Sequence, residues 1–247
     1  MKSHQMVKKI GISAAFAFAA IVFFAAVPST AFGQDDRSKI DKESVSKAGE
    51  KVADFVPKGW MIEDQINGDV NDDGIADHLL KLVEDAKSPS GDTYVERSRA
   101  LVILFADKDG HLRNAAVADK LLQCTSCGGA FYGTGDAPSD VKIEKGVIIV
   151  NQDHGSRNVT ETTYRFRYDE QPGMFILIGF DYSSRDRAAG GSSTESTNYL
   201  TGKRITTTSK GKKTTSKTTQ VTKMSDSIEE VDSDKFEEEA TKRLGLD

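Results

Sequence analysis

Short runs of strand-forming residues, separated by turn residues, recur along most of this chain and constrain its fold more than any other feature. Residues 77–84 and 99–106 are apolar runs of strand length, and 111–117 follows after a short turn. Residues 141–150 and 161–182 each contain two more runs around a glycine-containing turn. Hairpins in series pair neighbouring strands in opposite directions, so the pattern predicts a mainly β fold, built as an antiparallel meander.

Helical periodicity is confined to short N- and C-terminal helices that flank these strands. Apolar residues fall near a 3.6-residue period in 36–55 and again in 234–244. The sequence therefore predicts a signal peptide at 1–33, a helical segment at 34–56 and a single mainly β domain at 57–247. That domain ends in an acidic tail. Its hairpins are expected to form either a simple meander or a propeller-like arrangement.

The first 33 residues have the composition of an export signal. Three lysines among the first nine residues precede an apolar run at 10–27, and the small residues Ala31 and Gly33 suit a signal peptidase. Cleavage after Gly33 predicts a secreted or periplasmic protein. The alternative is an uncleaved anchor, because a run of this length lies at the lower limit of a membrane span. Under both predictions the remaining chain faces the exterior.

The charge of that remaining chain argues against a nucleic-acid partner. The whole chain has 33 basic and 38 acidic residues, and three of the basic ones lie in 1–33, which leaves a net charge of −8. Residues 203–223 are threonine-rich with seven Lys/Arg and no acid, whereas 225–239 hold eight acids and one lysine. The two segments are expected to pair with each other or to lie solvated, and a lipid-surface role for 203–223 is a further alternative.

The chain has two cysteines, Cys124 and Cys127, in a C-x-x-C spacing. A disulfide between them is the expectation for an oxidising compartment. Free thiols are one alternative. Redox or zinc chemistry is another, although the sequence shows neither a second cysteine pair for a zinc site nor the βαβ setting of a thioredoxin-like motif.

An acidic loop at 69–77 carries the main functional signal. It reads D-x-N-x-D-G-x-x-D, so oxygen-bearing side chains recur at alternate positions around a glycine that permits a sharp turn. A short loop of this kind wraps a hard, oxygen-seeking cation, and the expected cofactor is Ca²⁺. The alternative is an acidic turn without an ion, because Asp, Asn and Gly are also ordinary turn residues.

The loop resembles the calcium loop of FG-GAP/VCBS-type segments. The wider chain resembles secreted bacterial proteins of unassigned function that carry one such loop. The similarity runs through the loop at 68–77 and four further segments: Pro57-Lys58-Gly59-Trp60, Thr163-Tyr164-Arg165-Phe166-Arg167-Tyr168, Leu177-Ile178-Gly179-Phe180-Asp181 and Thr197-Asn198-Tyr199-Leu200-Thr201-Gly202. The resemblance implies a fold and an ion but no activity. The chain is too short for a full seven-bladed propeller.

In a loop of this type each ligand has a distinct expected role. Asp69, Asn71 and Asp73 each offer one side-chain oxygen, Ile75 offers its backbone carbonyl, and Asp77 closes the sphere. Three carboxylates around Ca²⁺ leave a local charge of about −1. An EF-hand would need a glutamate where this chain has a leucine, so a true EF-hand is excluded.

No catalytic constellation stands out, and we expect a non-enzymatic, monomeric binding or envelope-associated module with a protein or cell-envelope glycan as its ligand. The rival hypothesis is a secreted or periplasmic hydrolase. Asp153-His154-Gly155-Ser156 suggests such an enzyme but lacks the G-x-S-x-G context of a nucleophile elbow. A third class, an inhibitor or immunity-type partner, predicts an exposed aromatic patch around Tyr132, Tyr182 and Tyr199.

A basic patch is a further candidate for ligand binding. Arg165, Arg167, Arg185 and Arg187 suit an anionic glycan or a peptidoglycan carboxylate. The alternative is a solvated strand face, on which the arginines pair with acidic residues across neighbouring strands.

Overall fold

The structure is a computed structural model and describes residues 39–86, 95–223 and 225–246. The predicted signal peptide lies outside these residues. A first sheet has the strand order β1-β5-β4-β3-β2, and every neighbouring pair is antiparallel. Its strands are Ala48–Gly49 (β1), Trp60–Gly68 (β2), Asp77–Glu84 (β3), Arg99–Ala106 (β4) and Leu112–Ala118 (β5).

A second sheet runs in sequence order from β6 to β12 and is also antiparallel throughout. Its strands are Ser139–Glu144 (β6), Val147–Gly155 (β7), Asn158–Asp169 (β8), Met174–Asp186 (β9), Ser192–Asn198 (β10), Lys203–Lys210 (β11) and Lys213–Gln220 (β12). The mainly antiparallel β fold is therefore confirmed. The described strands form two open meanders of five and seven strands, not the repeated small blades of a propeller.

The main core lies between one face of each sheet. Strand side chains alternate between faces, and on β8 Tyr164 and Phe166 are fully buried whereas Arg165 on the opposite face is half-buried. Each sheet also contributes aliphatic residues to the same cluster, among them Ile103 from β4 and Leu177 from β9. One apolar face of the first sheet is thus covered by the apolar face of the second.

The predicted N-terminal helix is wrong for the described part of that segment. Two short 3₁₀ turns, Lys42–Ser44 and Val52–Phe55, flank strand β1 there. Pairing of β1 with β5 takes up backbone groups that a helix would have used internally. Phe55 is fully buried and packs on the outer face of the first sheet in a second cluster with residues of β3 and β4. The apolar spacing at 36–55 therefore serves sheet packing.

The closing helix is present and has the predicted face. It spans Ser233–Leu244 (α1), and the side chain of Asp232 accepts a hydrogen bond from the Lys235 N–H at its start. Gly245 ends the helix in the left-handed conformation. Ala240 is buried, and Phe236 packs against Tyr164 and Phe180 of the second sheet. No helix within the described ranges is long and apolar enough to cross a membrane.

Candidate calcium-binding loop

The acidic loop connects β2 to β3 at the end of the first sheet. Asp72 and Gly74 both have positive φ angles, of 63° and 83°. Glycine adopts this conformation without a steric penalty, and aspartate tolerates it better than most other residues. The two residues turn the chain twice within nine positions, which brings the side chains of the loop toward its own backbone.

Side-chain oxygens of the loop accept hydrogen bonds from the loop backbone. The Asp69 carboxylate accepts from the N–H groups of Asp72 at 2.7 Å and Gly74 at 2.8 Å. Asn71 Oδ1 accepts from the Asp73 N–H at 3.1 Å, and Asp73 Oδ1 accepts from the Ile75 N–H at 2.8 Å. These hydrogen bonds hold the loop backbone in a turn around the side chains of Asp69, Asn71 and Asp73, the expected calcium ligands.

Asp77 is the buried anchor of the loop. Its side chain has no solvent exposure, and its two oxygens accept the N–H of Val70 and the N–H of Ala106, each at 3.0 Å. Burial raises the pKa of the Asp77 carboxyl. The two backbone hydrogen bonds oppose this shift, and the negative charges of Asp73 and Asp69 add to it. Asp77 therefore ties the loop both to its own start and to the last residue of β4.

The loop has negative charge without a cationic partner. Among the described residues, no ion pair involves its four acidic side chains, Asp69, Asp72, Asp73 and Asp77. Lys145 lines a cleft beside the loop but forms no ion pair with it. A divalent cation would supply the missing positive charge.

The residues present fit such an ion in their chemistry. Carboxylate, amide and carbonyl oxygens are the ligands that Ca²⁺ prefers, and an oxygen that accepts one N–H keeps a second lone pair. The carboxylates of Asp69, Asp73 and Asp77 are not gathered as tightly as ligand groups around an ion, since they do not all lie within 4.8 Å of one another in this structure. Calcium binding at this loop would therefore draw these side chains together.

A second acidic group lies across a cleft from the loop. Asp107, Asp109 and His111, in the turn between β4 and β5, are exposed and have ligand atoms within 4.8 Å of one another. They form the one such set of His, Cys, Asp or Glu side chains among the described residues. Asp73 and His111 line the same cleft of about 520 Å³. Any test of the loop must therefore distinguish the two groups.

The two cysteines form the predicted disulfide, with their sulfur atoms 2.11 Å apart. The bond lies in the connection between the two sheets. Arg99, at the start of β4, fixes this connection by donating to the backbone carbonyls of Gln123 at 3.3 Å and Ala137 at 2.8 Å. Sequence reasoning missed this role, because Arg99 reads as the polar end of an apolar strand.

The hydrolase hypothesis receives no support from the positions of its residues. Asp153 accepts a hydrogen bond from the Tyr132 hydroxyl, and burial together with this contact raises the pKa of Tyr132 to about 12. His154 pairs with Glu237 of α1 at 2.8 Å. Adjacent residues of β7 point to opposite faces of the sheet, so Asp153 cannot orient His154. No hydrogen bond joins His154 to Ser156 within the described part of the chain.

The aromatic patch that would mark an inhibitor or immunity-type partner does not form around its three tyrosines, because Tyr132 alone of them is partly exposed. Tyr182 and Tyr199 are 3% and 5% exposed and belong to the main core. On the basic patch, the structure favours the alternative of a paired strand face. Arg165 contacts Asp181 at 2.7 Å and Arg185 lies 3.7 Å from Glu161, both across neighbouring strands.

The His154–Glu237 contact predicts a pH-dependent stability. Hydrogen bonding to Glu237 raises the His154 pKa, and burial opposes this shift only partly. The protonated form is therefore favoured by folding, so its stabilising contribution is complete below the unfolded pKa of about 6.5 and is lost as pH rises through the higher folded value. Urea unfolding should show stability falling over this range.

His154→Gln is the matched variant for this measurement. It should abolish that component of the pH dependence and leave stability at high pH nearly unchanged. An identical pH profile in the variant would contradict the assignment.

Comparison of the chain with protein-family models, with curated proteins and with solved structures finds no match. The resemblance to FG-GAP/VCBS-type segments therefore stays a prediction.

Proposed function

We propose that this chain is an exported calcium-binding protein whose loop at 69–77 holds a structural Ca²⁺ and whose activity is binding, not catalysis. One observation carries the proposal. The loop holds four acidic side chains within nine residues, with no ion-pair partner for any of them among the described residues. A divalent cation is the group that best balances this charge, and the ligand types match calcium.

The ion would have a structural role at one corner of the first sheet. The loop joins β2 to β3, and Asp77 reaches across to the backbone of Ala106 at the end of β4. Binding at Asp69, Asn71 and Asp73 would hold this corner of the first sheet in one conformation. A rigid corner suits a module that presents a surface to a protein or an envelope glycan. Nothing in the described residues favours the hydrolase alternative.

The decisive measurement is thermal unfolding of the purified protein in EDTA and then in excess Ca²⁺. At one hundred times its Kd, an ion that binds only the folded state adds about 2.7 kcal/mol. For a domain of this size, that corresponds to a rise in Tm of about 5–10 °C. Asp69→Ala/Asp73→Ala should lose the rise.

Two further variants separate the loop from its surroundings. Asp73→Asn keeps the acceptor for the Ile75 N–H but removes a charge, so it should weaken calcium binding with little change in Tm in EDTA. Asp109→Asn/His111→Gln alters the neighbouring acidic group and should keep the full calcium response. A response lost in this second variant, or absent from the unaltered protein, would contradict the proposal.

A further inference from the structure

The hairpin of β11 and β12 is a strongly basic surface whose expected partner within the chain is engaged elsewhere. The acidic tail was one candidate to neutralise it. In the structure, Glu237 pairs with His154, Glu238 with Lys242, and Glu239 with Arg243. These carboxylates fasten the closing helix and its own surface, so the pairing between tail and hairpin that the sequence predicts as one alternative is not formed by these three carboxylates.

The basic segment 203–223 has one basic side chain with an acidic partner in the described ranges. That side chain is Arg204, which contacts the buried Glu195 at 3.2 Å. None of the ion pairs in the described ranges involves the other basic side chains of the segment, which are Lys203, Lys210, Lys212, Lys213, Lys217 and Lys223. A protein that is acidic as a whole therefore presents one uncompensated cationic hairpin.

Strand β12 also presents an unpaired backbone edge. Among the described strands, it is the last of the seven-stranded sheet and pairs only with β11. The Val221 N–H donates to the Gly202 carbonyl at 2.8 Å, which identifies the hydrogen-bonded positions of the ladder. Alternation then directs the backbone groups of Lys213, Thr215, Lys217 and Thr219 toward β11. Those of the intervening residues, Thr214, Ser216, Thr218 and Gln220, point away from the sheet.

The register places both lysines of β12 on the same face of the hairpin. Lys213 lies opposite Lys210, and Lys217 lies opposite Thr206, all on one face of the hairpin. The other face pairs Thr207 with Ser216 and continues with further hydroxyl side chains. An incoming strand beside β12 would therefore meet two lysines, four residues apart, on one face only.

We propose that β12 binds an acidic polypeptide segment in an extended conformation, as an added antiparallel or parallel strand. Such a segment satisfies the unpaired backbone groups of the edge, and its carboxylates meet Lys213 and Lys217 across the new pairing. Two independent features, the open edge and the uncompensated charge, call for the same ligand.

Other occupants match only one of these features. A second copy of β12 would place lysines beside lysines, and edge lysines oppose pairing between like strands. Single-stranded nucleic acid needs aromatic side chains for stacking, and the segment 203–220 has none. Ile205 is the single aliphatic residue of the two strands and lies on the face away from Lys213. The hairpin therefore has little apolar area to insert into a lipid surface.

The inference deepens the proposed binding function by naming a class of partner, but it uses no part of the calcium loop. The two proposals therefore fail separately. Loss of the calcium response leaves peptide binding intact, and loss of peptide binding leaves the calcium response intact.

Hydrogen exchange followed by NMR, with a synthetic peptide of alternating glutamate and threonine as the probe, tests the proposal. The amides of Thr214, Ser216 and Thr218 should become protected, because they acquire partners. The amides of Thr215 and Lys217 should change little, because they are already paired with β11. This alternating signature is specific to strand addition.

Two variants address the two features separately. Ser216→Pro removes one backbone donor from the open edge without breaking a backbone hydrogen bond to β11, since proline is tolerated where the N–H faces away from the sheet. It also loses the exposed side-chain contact with Thr207. Lys213→Glu/Lys217→Glu reverses the charge. Each should weaken peptide binding by at least about tenfold. Lys51→Glu/Lys58→Glu makes the same change in net charge at exposed positions outside the hairpin and should bind normally.

Three results would overturn the proposal. One is peptide binding without protection of the alternate amides. Another is equal binding by the charge-reversed variant. The third is tight binding of dextran sulfate that Ser216→Pro leaves unchanged, together with no binding of the peptide, which would make the hairpin a general polyanion site.

Discussion

Replacing Asp77 by alanine is expected to lower the free energy of unfolding by roughly 2–5 kcal/mol, even in EDTA. The fully buried carboxylate accepts the N–H groups of Val70 and Ala106. Its removal leaves one buried and one partly buried donor unpaired, at a cost of about 1–3 kcal/mol each. Urea denaturation in EDTA measures this loss separately from any effect of an ion.

Two companion variants make the prediction for Asp77 specific. Asp77→Asn keeps one acceptor oxygen and should fall between the alanine variant and the unaltered protein. Asp72→Asn alters an exposed carboxylate of the same loop in a residue type that tolerates positive φ, and it should change stability by less than about 0.5 kcal/mol. Equal effects of Asp72→Asn and Asp77→Ala would show that loop charge, not the buried hydrogen bonds, governs stability.

Replacing Arg99 by methionine is expected to cost about 3–5 kcal/mol, as for other buried ion pairs that lose one partner. Arg99 is 3% exposed and binds both carboxylate oxygens of Glu63, at 2.8 Å and 2.6 Å. Burial by itself would raise the Glu63 pKa, but hydrogen bonding and charge from Arg99 outweigh it, so the pKa is lowered. Without Arg99, the one ion pair left to Glu63 among the described residues is the longer contact with Lys81 at 3.5 Å.

A double variant distinguishes the charge from the carbonyl contacts of Arg99. Arg99→Met/Glu63→Leu removes both charges and should recover part of the loss, because no uncompensated carboxylate remains. The part of the stability that is not recovered measures the hydrogen bonds from Arg99 to backbone carbonyls of the connection between the sheets, including that of Ala137. Chemical denaturation of the three proteins completes the comparison. A double variant no more stable than Arg99→Met would assign the whole effect to those carbonyls.

Local patterns in the sequence determined most of the strands. The runs at 77–84 and 99–106 coincide with β3 and β4. The Cys124–Cys127 bond was the expectation from the C-x-x-C spacing together with the predicted oxidising compartment. These features depend on residues close together in the chain, where side-chain period and turn chemistry act directly.

The candidate site could be predicted in part. The position of the loop, its turn and its ligand types follow from the residues at 69–77. The partner of Asp77 does not, because Ala106 lies 29 residues further along the chain, at the end of the next strand. Only the packing of β3 beside β4 shows that Asp77 is a buried anchor as well as a candidate ligand.

Tertiary structure alone decided which partner each ambiguous segment acquired. An apolar spacing at 36–55 suits a helix or a strand-and-turn segment, and the open outer face of the first sheet selected the second. The tyrosines at 182 and 199 became core residues because the closing helix covers them. The acidic tail pairs with His154 and with its own helix, and β12 keeps its lysines exposed. Burial and pairing between residues far apart in the chain depend on which elements pack against each other, and local sequence patterns do not determine that packing.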